Sequence, residues 1–378
     1  MRSSVHESQW FPDECRRIEQ SFKKLDLQIL GWEDEDQDPA IRNNDHGDLE
    51  DDRDVVIRKT FEMIEMKDLP PMQHPDRSQP IFMVRPCYLK LFDLIMKKAR
   101  MYVNANIVVT GNPGIGKSRF YLYFIWRLIK EGLPKKFSHL VINCGGEYHV
   151  YEDKEFVMLL SKREISRFKN SAGVLRLVDG WSDRLEGWHG TSVLFAAPGA
   201  PNMHQFKKAI KGFTFVMPPW GLEELLICNE ACELGLSAEE IRKEFSYFGG
   251  IPRFIFSQNE EWRSEVEGAI LSSDCQGILK YVKEKSEVLD EHYSQYIFKM
   301  VPRDEDTFKR ATLDFLSEQI GDRVIDQIER KSPGALRSFV LEAQDDSDTS
   351  LFRGTVYEKL CHRALTSNVQ TVAARHLI

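Results

Sequence analysis

The sequence predicts an α/β fold, a three-layer arrangement around a central parallel sheet, followed by a helical lid subdomain. Three observations predict it. Between residues 106 and 217 short apolar runs alternate with amphipathic helical stretches, the pattern of strands buried on both faces. A glycine-rich loop joins the first of these strands to the first helix. After Pro218-Pro219 the strand signal stops and only helical periodicity continues.

The 378 residues suffice for two or three domains, and 42% hydrophobic with 29% charged residues is ordinary for a globular chain. The net charge of −8 is concentrated: residues 33–54 hold eleven acidic and two basic side chains, which leaves about +1 for the rest. Global charge therefore argues neither for nor against nucleic-acid binding. The seven cysteines form no C-x-x-C pair and are odd in number, which fits free thiols in a reducing compartment better than a disulfide or zinc framework. Cys228 and Cys232 read as two core positions on one helix face. No apolar run approaches the roughly 20 residues a membrane span needs, and no signal peptide is recognisable. The expectation is a nuclear or cytoplasmic protein with no membrane partner.

Taken in order, residues 1–80 are expected to be an acidic, partly disordered N-terminal region with short helices near 14–25 and 55–66 and a proline-rich connector at 68–80. Residues 81–220 form the core. Strands are expected at 81–84, 107–110, 140–144, 174–179, 192–197 and 214–217, and helices at 88–99, 118–131, 155–168 and 202–210. Residues 221–290 form the lid, with helices at 222–234, 237–248, 262–271 and 276–289. Residues 291–378 are mixed.

The loop Gly111-Asn112-Pro113-Gly114-Ile115-Gly116-Lys117-Ser118 matches G-x-x-x-x-G-K-[S/T] in the strand-loop-helix setting the motif requires. Its glycines permit backbone conformations and close approaches that a Cβ would block, and its N–H groups with the helix N-terminus face an anion. These residues, with Arg119, are the expected nucleotide contacts. Lys117 is expected to reach the terminal phosphates, and Ser118 to hold Mg²⁺. Asp179 ends an apolar strand interrupted by Arg176, and is placed to hold the metal from the other side. Gly180 stands where many ATPases place the water-activating glutamate; Asp183 is the nearest candidate base, with Glu147 and Glu152 as fallbacks. In Gly249-Gly250-Ile251-Pro252-Arg253, Arg253 either points from the lid at the γ-phosphate or lies in solvent after a helix restart. The expected cofactors are ATP and Mg²⁺. No Asn-Lys-x-Asp guanine-reading motif is present.

The loop, Leu177-Val178-Asp179-Gly180-Trp181, Met217-Pro218-Pro219-Trp220 with Glu223-Glu224-Leu225, the 249–253 motif and the lead-in Val84-Arg85-Pro86-Cys87-Tyr88 together resemble the P-loop NTPase domain of Crinkler and retrotransposon hot-spot proteins over residues 80–290. The resemblance implies an additional-strand ATPase of AAA+/STAND-like character, with Asp179-Gly180-Trp181-Ser182-Asp183 as an extended Walker B. It also implies a DNA or protein target in the nucleus, and self-association as a further partner class. Three departures accompany it. The ubiquitin-like header is not recognisable. Phe195-Ala196-Ala197-Pro198 lacks a polar sensor. Residues 354–362 look like the opening helix of a nuclease domain, but only twenty residues, none acidic, follow Glu358. A truncated nuclease-like domain is therefore expected at the C-terminal end. Two readings from other classes remain beside the ATPase: a nucleotide-gated scaffold with little turnover, and a small-molecule kinase.

Overall fold

The computed structural model describes residues 62–65, 81–144, 146–180, 182, 185–201, 203–208, 211–274, 277–278, 294–342 and 350–366, with two short strands at 27–29 and 57–59. The helix expected near 14–25 lies outside the described residues.

Strand β1 (Leu27–Ile29) pairs antiparallel with β2 (Ile57–Lys59), and β3 (Met63–Glu65) pairs antiparallel with β4 (Ile81–Met83). The helix expected at 55–66 is thus overturned: both described pieces of it are strands. Ile64 is buried opposite Phe82, and that cross-strand burial outweighs local propensity. Helix α1 (Pro86–Met101) begins with proline in its first turn, where the missing N–H costs nothing. It buries Tyr88, Leu91, Phe92, Ile95, Met96 and Ala99, spaced as one helical face.

The core sheet follows. It comprises β5 (Asn106–Thr110), β6 (His139–Cys144), β7 (Glu147–Glu152), β8 (Glu155–Met158), β9 (Val174–Asp179), β10 (Thr191–Phe195) and β11 (Gly212–Val216). They form one seven-stranded sheet in the order β11-β5-β10-β9-β6-β7-β8. The first five are parallel, while β7 and β8 extend the edge antiparallel. Helix α2 (Lys117–Glu131) covers one face and stops at Gly132, whose φ is 82°. Helices α3 (Lys162–Lys169) and α4 (Met203–Lys207) lie on the other face, packing Ile165 and Phe168 on Val141 and Val174, and Met203 and Phe206 on Val108, Val178 and Leu194. Both faces are covered, as strands made mostly of apolar residues require.

One sequence expectation fails inside the core. Residues 155–168 are not one helix. Residues 155–158 are β8, turned back from β7 through Asp153 and Lys154, both with positive φ as a tight two-residue hairpin demands. The helix starts only at Ser161, whose hydroxyl and Glu164 form a reciprocal cap.

The helical part comprises α5 (Leu222–Ala231), α6 (Ala238–Phe248), α7 (Pro252–Phe256) and α8 (Glu261–Ser272). Of the helix expected at 276–289, residues 277–278 are helical and the remainder lies outside the described residues. The short helix α9 (Ser294–Ile297) leads into a hairpin, β12 (Phe298–Pro302) with β13 (Ala311–Phe315). Three helices complete the fold: α10 (Glu318–Lys331), α11 (Ala335–Glu342) and α12 (Ser350–Thr366). Buried residues of the hairpin and of α10 belong to the same apolar cluster as α1, α2 and the helical part. Cys228 and Cys232 have their sulfurs 3.9 Å apart within that cluster's reach.

Candidate nucleotide-binding site

Strand β5 ends at Thr110, and the next six residues turn to deliver Lys117 as the first residue of α2. Gly111, Gly114 and Gly116 have φ of 147°, 83° and 97°, values that L side chains rarely adopt. Opposite the loop, β9 ends at Asp179, one strand removed from β5 because β10 lies between them. Ser118 Oγ donates to Asp179 Oδ1 at 3.0 Å. A glycine-rich strand-to-helix loop, an inserted strand and a hydroxyl-carboxylate pair facing it together decide the fold class. The fold is that of a P-loop NTPase.

Lys117 is turned back on the P-loop. Its Nζ donates to the carbonyls of Gly111 at 2.9 Å and Asn112 at 2.8 Å. Burial first, and then the nearby Arg253 guanidinium, bring its pKa down to about 7 against the opposing charge of Asp179. Burial likewise raises Asp179 to about 6, against the Ser118 hydrogen bond and the Lys117 charge. The Ser118 hydroxyl and Asp179 carboxylate are hard oxygen donors of the kind Mg²⁺ takes, so the residues fit that ion.

Three further segments fix the P-loop. The Trp220 indole N–H donates to Ile115 O at 2.9 Å, and the Tyr88 hydroxyl donates to Gly116 O at 3.1 Å. The 249–253 motif closes on the same turn: Trp220 N–H donates to Gly250 O, and a Cβ on Gly250 would lie 2.0 Å from Trp220 O. A helix thus ends at Gly249 and restarts at Pro252, with Arg253 carried over the loop. A Cβ on Gly114 would stand 2.6 Å from Arg253 Cβ and 3.2 Å from its Nε. The Arg253 side chain remains exposed beside the P-loop.

Arg85 anchors this arrangement. Its buried guanidinium bonds both Glu224 carboxylate oxygens, at 3.0 and 2.9 Å, and the carbonyls of Pro218 and Pro219, each at 3.0 Å. It also stacks over the Trp220 ring at 4.7 Å. Lysine cannot reproduce that fork. Arg85→Lys is expected to cost about 2 kcal/mol in chemical denaturation, since charged hydrogen bonds are lost at a buried site. An unchanged midpoint would remove Arg85 from this role.

The structure therefore brings Lys117, Ser118, Asp179 and Arg253 together. Asp183 lies outside the described residues. Of the fallback bases, Glu147 stands at the same sheet edge as Asp179: Cys144 is the register partner of both, so Glu147 is two strands away. Glu152 is corrected by its position. It lies 3.8 Å from His139 at the opposite end of the sheet and cannot serve this site. Ala196 follows β10 with its N–H bonded to Val109 O, and no polar side chain stands at that point.

Two features were not visible in the sequence. The Asn112 side chain does not face the loop's mouth. Its Nδ2 donates to Phe298 O at 2.8 Å and its Oδ1 accepts from Met300 N–H at 2.7 Å, tying the P-loop to β12. Arg176 is not a defect in β9. Fully buried, it bonds Asn143 Oδ1 at 2.9 Å, Ser182 Oγ at 3.0 Å and Leu185 O at 3.3 Å, and lies 4.3 Å over the Trp188 ring. It organises the chain that follows Asp179.

No protein-family model matches the chain. Over 210 residues it is 27% identical to Crinkler effector protein 15 of Phytophthora infestans, covering 54% of this chain and 32% of the relative. It is 28% identical to Crinkler effector protein 16 of the same organism over 205 residues, covering 53% and 32%. The chain thus spans about a third of the length of the curated relatives it matches. Among solved structures, a Walker-type ATPase of Pyrococcus abyssi has a TM-score of 0.35 at 13% identity, covering 66% of this chain and 97% of its own. The RuvB Holliday junction branch migration motor of Thermotoga maritima has a TM-score of 0.30 at 12% identity, covering 74% and 88%. Among the described residues no helix is long and apolar enough to cross a membrane.

Proposed function

We propose that this chain binds ATP with Mg²⁺ at residues 111–119 and hydrolyses it, using the cycle to move its helical part or to change its assembly. The observation that carries the reading is the Ser118–Asp179 hydrogen bond opposite a P-loop whose lysine is already inside the site. The bound metal would be held by Ser118 and Asp179 and would neutralise charge on the phosphates. The protein's own residues do the rest. The loop N–H groups bind the phosphate oxygens. Lys117 leaves its two carbonyls for the terminal phosphates, and Arg253 adds positive charge from the lid. Asp183 is our candidate for orienting the attacking water. We take residues 81–220 as the catalytic core, 221–290 as the lid, 1–80 as an acidic N-terminal region and 291–378 as a C-terminal region related to the start of a nuclease domain.

We take its target to be DNA or a protein, in the nucleus or cytoplasm, with self-association as part of the cycle. The test is ATP hydrolysis by the purified chain with and without double-stranded DNA. Turnover is expected in the wild type and none in Lys117→Ala or Asp179→Ala; equal turnover in all three would overturn the assignment. A second reading, a nucleotide-gated scaffold with slow turnover, is favoured by Gly180 directly after Asp179 and by Ala196 at the end of β10. It predicts tight ATP binding whose hydrolysis neither DNA nor a protein partner accelerates.

A further inference from the structure

Tyr121 lies on α2 one turn beyond Ser118, on the face that packs against the sheet. Its ring meets Phe195 edge-on at 5.5 Å between centroids. Phe195 is the register partner of Asp179 across β10 and β9, and Cys144 is its partner on the other side. The Tyr121 side chain is 1% exposed, yet its hydroxyl has no hydrogen-bond partner. Leaving a buried hydroxyl unpaired is unfavourable, and among the described residues this is the one such phenol. Asp179, Phe195 and Cys144 are in register, so their side chains leave the sheet on the face that α2 covers. Burial pushes the Tyr121 pKa well up, and the Asp179 and Cys144 charges raise it further.

Asp179 is half-buried, and among the described residues Ser118 is the one protein donor to its carboxylate. A buried donor without an acceptor and a half-buried carboxylate with one protein donor thus stand under the same helix.

We propose that Tyr121 is a positioning residue for the nucleotide site: its hydroxyl donates to Asp179 through one water and fixes that carboxylate for the divalent cation. The proposal rests on the nucleotide reading given above. Donors that orient a metal-ligating carboxylate act without touching the metal, and removing one costs roughly 10- to 100-fold in metal affinity.

Tyr121→Phe keeps the ring on Phe195 and removes only the oxygen. ADP binding would be titrated calorimetrically without metal, and Mn²⁺ binding to the ADP complex followed by electron paramagnetic resonance. The expected result has three parts. Metal-free ADP affinity is unchanged, and Mn²⁺ affinity falls at least tenfold. The melting temperature of the nucleotide-free protein changes little, because the ring keeps its packing on Phe195. Wild-type Mn²⁺ affinity in the variant would overturn the proposal while leaving the nucleotide site standing. Equal loss of metal-free ADP affinity and of melting temperature would make Tyr121 a packing residue and overturn it as well. Failure of the wild type to bind ADP at all would sink the nucleotide reading, and the proposal with it.

Discussion

Lys117→Met is expected to abolish tight binding of Mg·ATP and at the same time to stabilise the nucleotide-free protein. The two effects have one cause. The ammonium is fully enclosed, with two loop carbonyls as partners and Arg253 nearby. Burial holds its pKa at about 7 instead of the ordinary 10.5. In the pH range between those values the unfolded chain binds more protons than the folded one, so stability rises with pH. One proton corresponds to at most about 1.4 kcal/mol per pH unit. The wild type should therefore gain stability from pH 7 to pH 9, and Lys117→Met, which keeps most of the stem's volume, should lack that gain. Subtracting the two denaturation midpoints at each pH isolates the lysine from other titrating groups. A bound triphosphate reverses the balance, because its negative charge favours the ammonium. Nucleotide should thus stabilise the wild type strongly and the variant scarcely at all. A pH profile identical in both proteins would show that Lys117 is not held in this low-dielectric position.

The parts of the site that are local in sequence were legible before any coordinates. The loop at 111–118, the strand end at Asp179 and the Arg253 turn are each contiguous, and each is announced by glycine, proline or an apolar run. The five parallel strands were legible for the same reason, since burial on both faces leaves no room for polar alternation. What failed was where two periodicities overlap. Residues 155–158 read as the start of the helix at Lys162, because the hairpin turn at Asp153 and Lys154 contains no glycine to announce it. The strand pairs at 57–59 and 63–65 failed because their partners are distant in the chain. Tyr121, Arg176 and the Asn112 side chain were illegible on the same ground. Their roles are set by groups that meet only after folding, and no local pattern encodes such meetings.

Asn112→Ala should be the most disruptive neutral substitution in the loop, and its consequence should appear far from the nucleotide. The side chain spans 186 residues of sequence to Phe298 and 188 to Met300, with both hydrogen bonds buried. Removing it takes two buried hydrogen bonds from β12, at about 1–3 kcal/mol each. A total loss near 3 kcal/mol is expected in the denaturation free energy. The hairpin has further ties to the core. Val216 N–H donates to Phe308 O at 2.7 Å, and a Cβ on Gly249 would lie 2.1 Å from Leu316 O, beside the turn that carries Arg253. The hairpin therefore touches the P-loop, the last core strand and the Arg253 turn at once. Any shift of the loop on nucleotide binding is transmitted to β12 through Asn112, whose carbonyl also accepts from Lys117. Amide hydrogen exchange gives the measurement. In the wild type, ATP should slow exchange at both the P-loop and residues 298–302. In Asn112→Ala the P-loop should still respond, while residues 298–302 should exchange fast with or without nucleotide. Unchanged protection of those residues in the variant would mean that Val216 and the Gly249 contact hold the hairpin by themselves, and that Asn112 carries no signal.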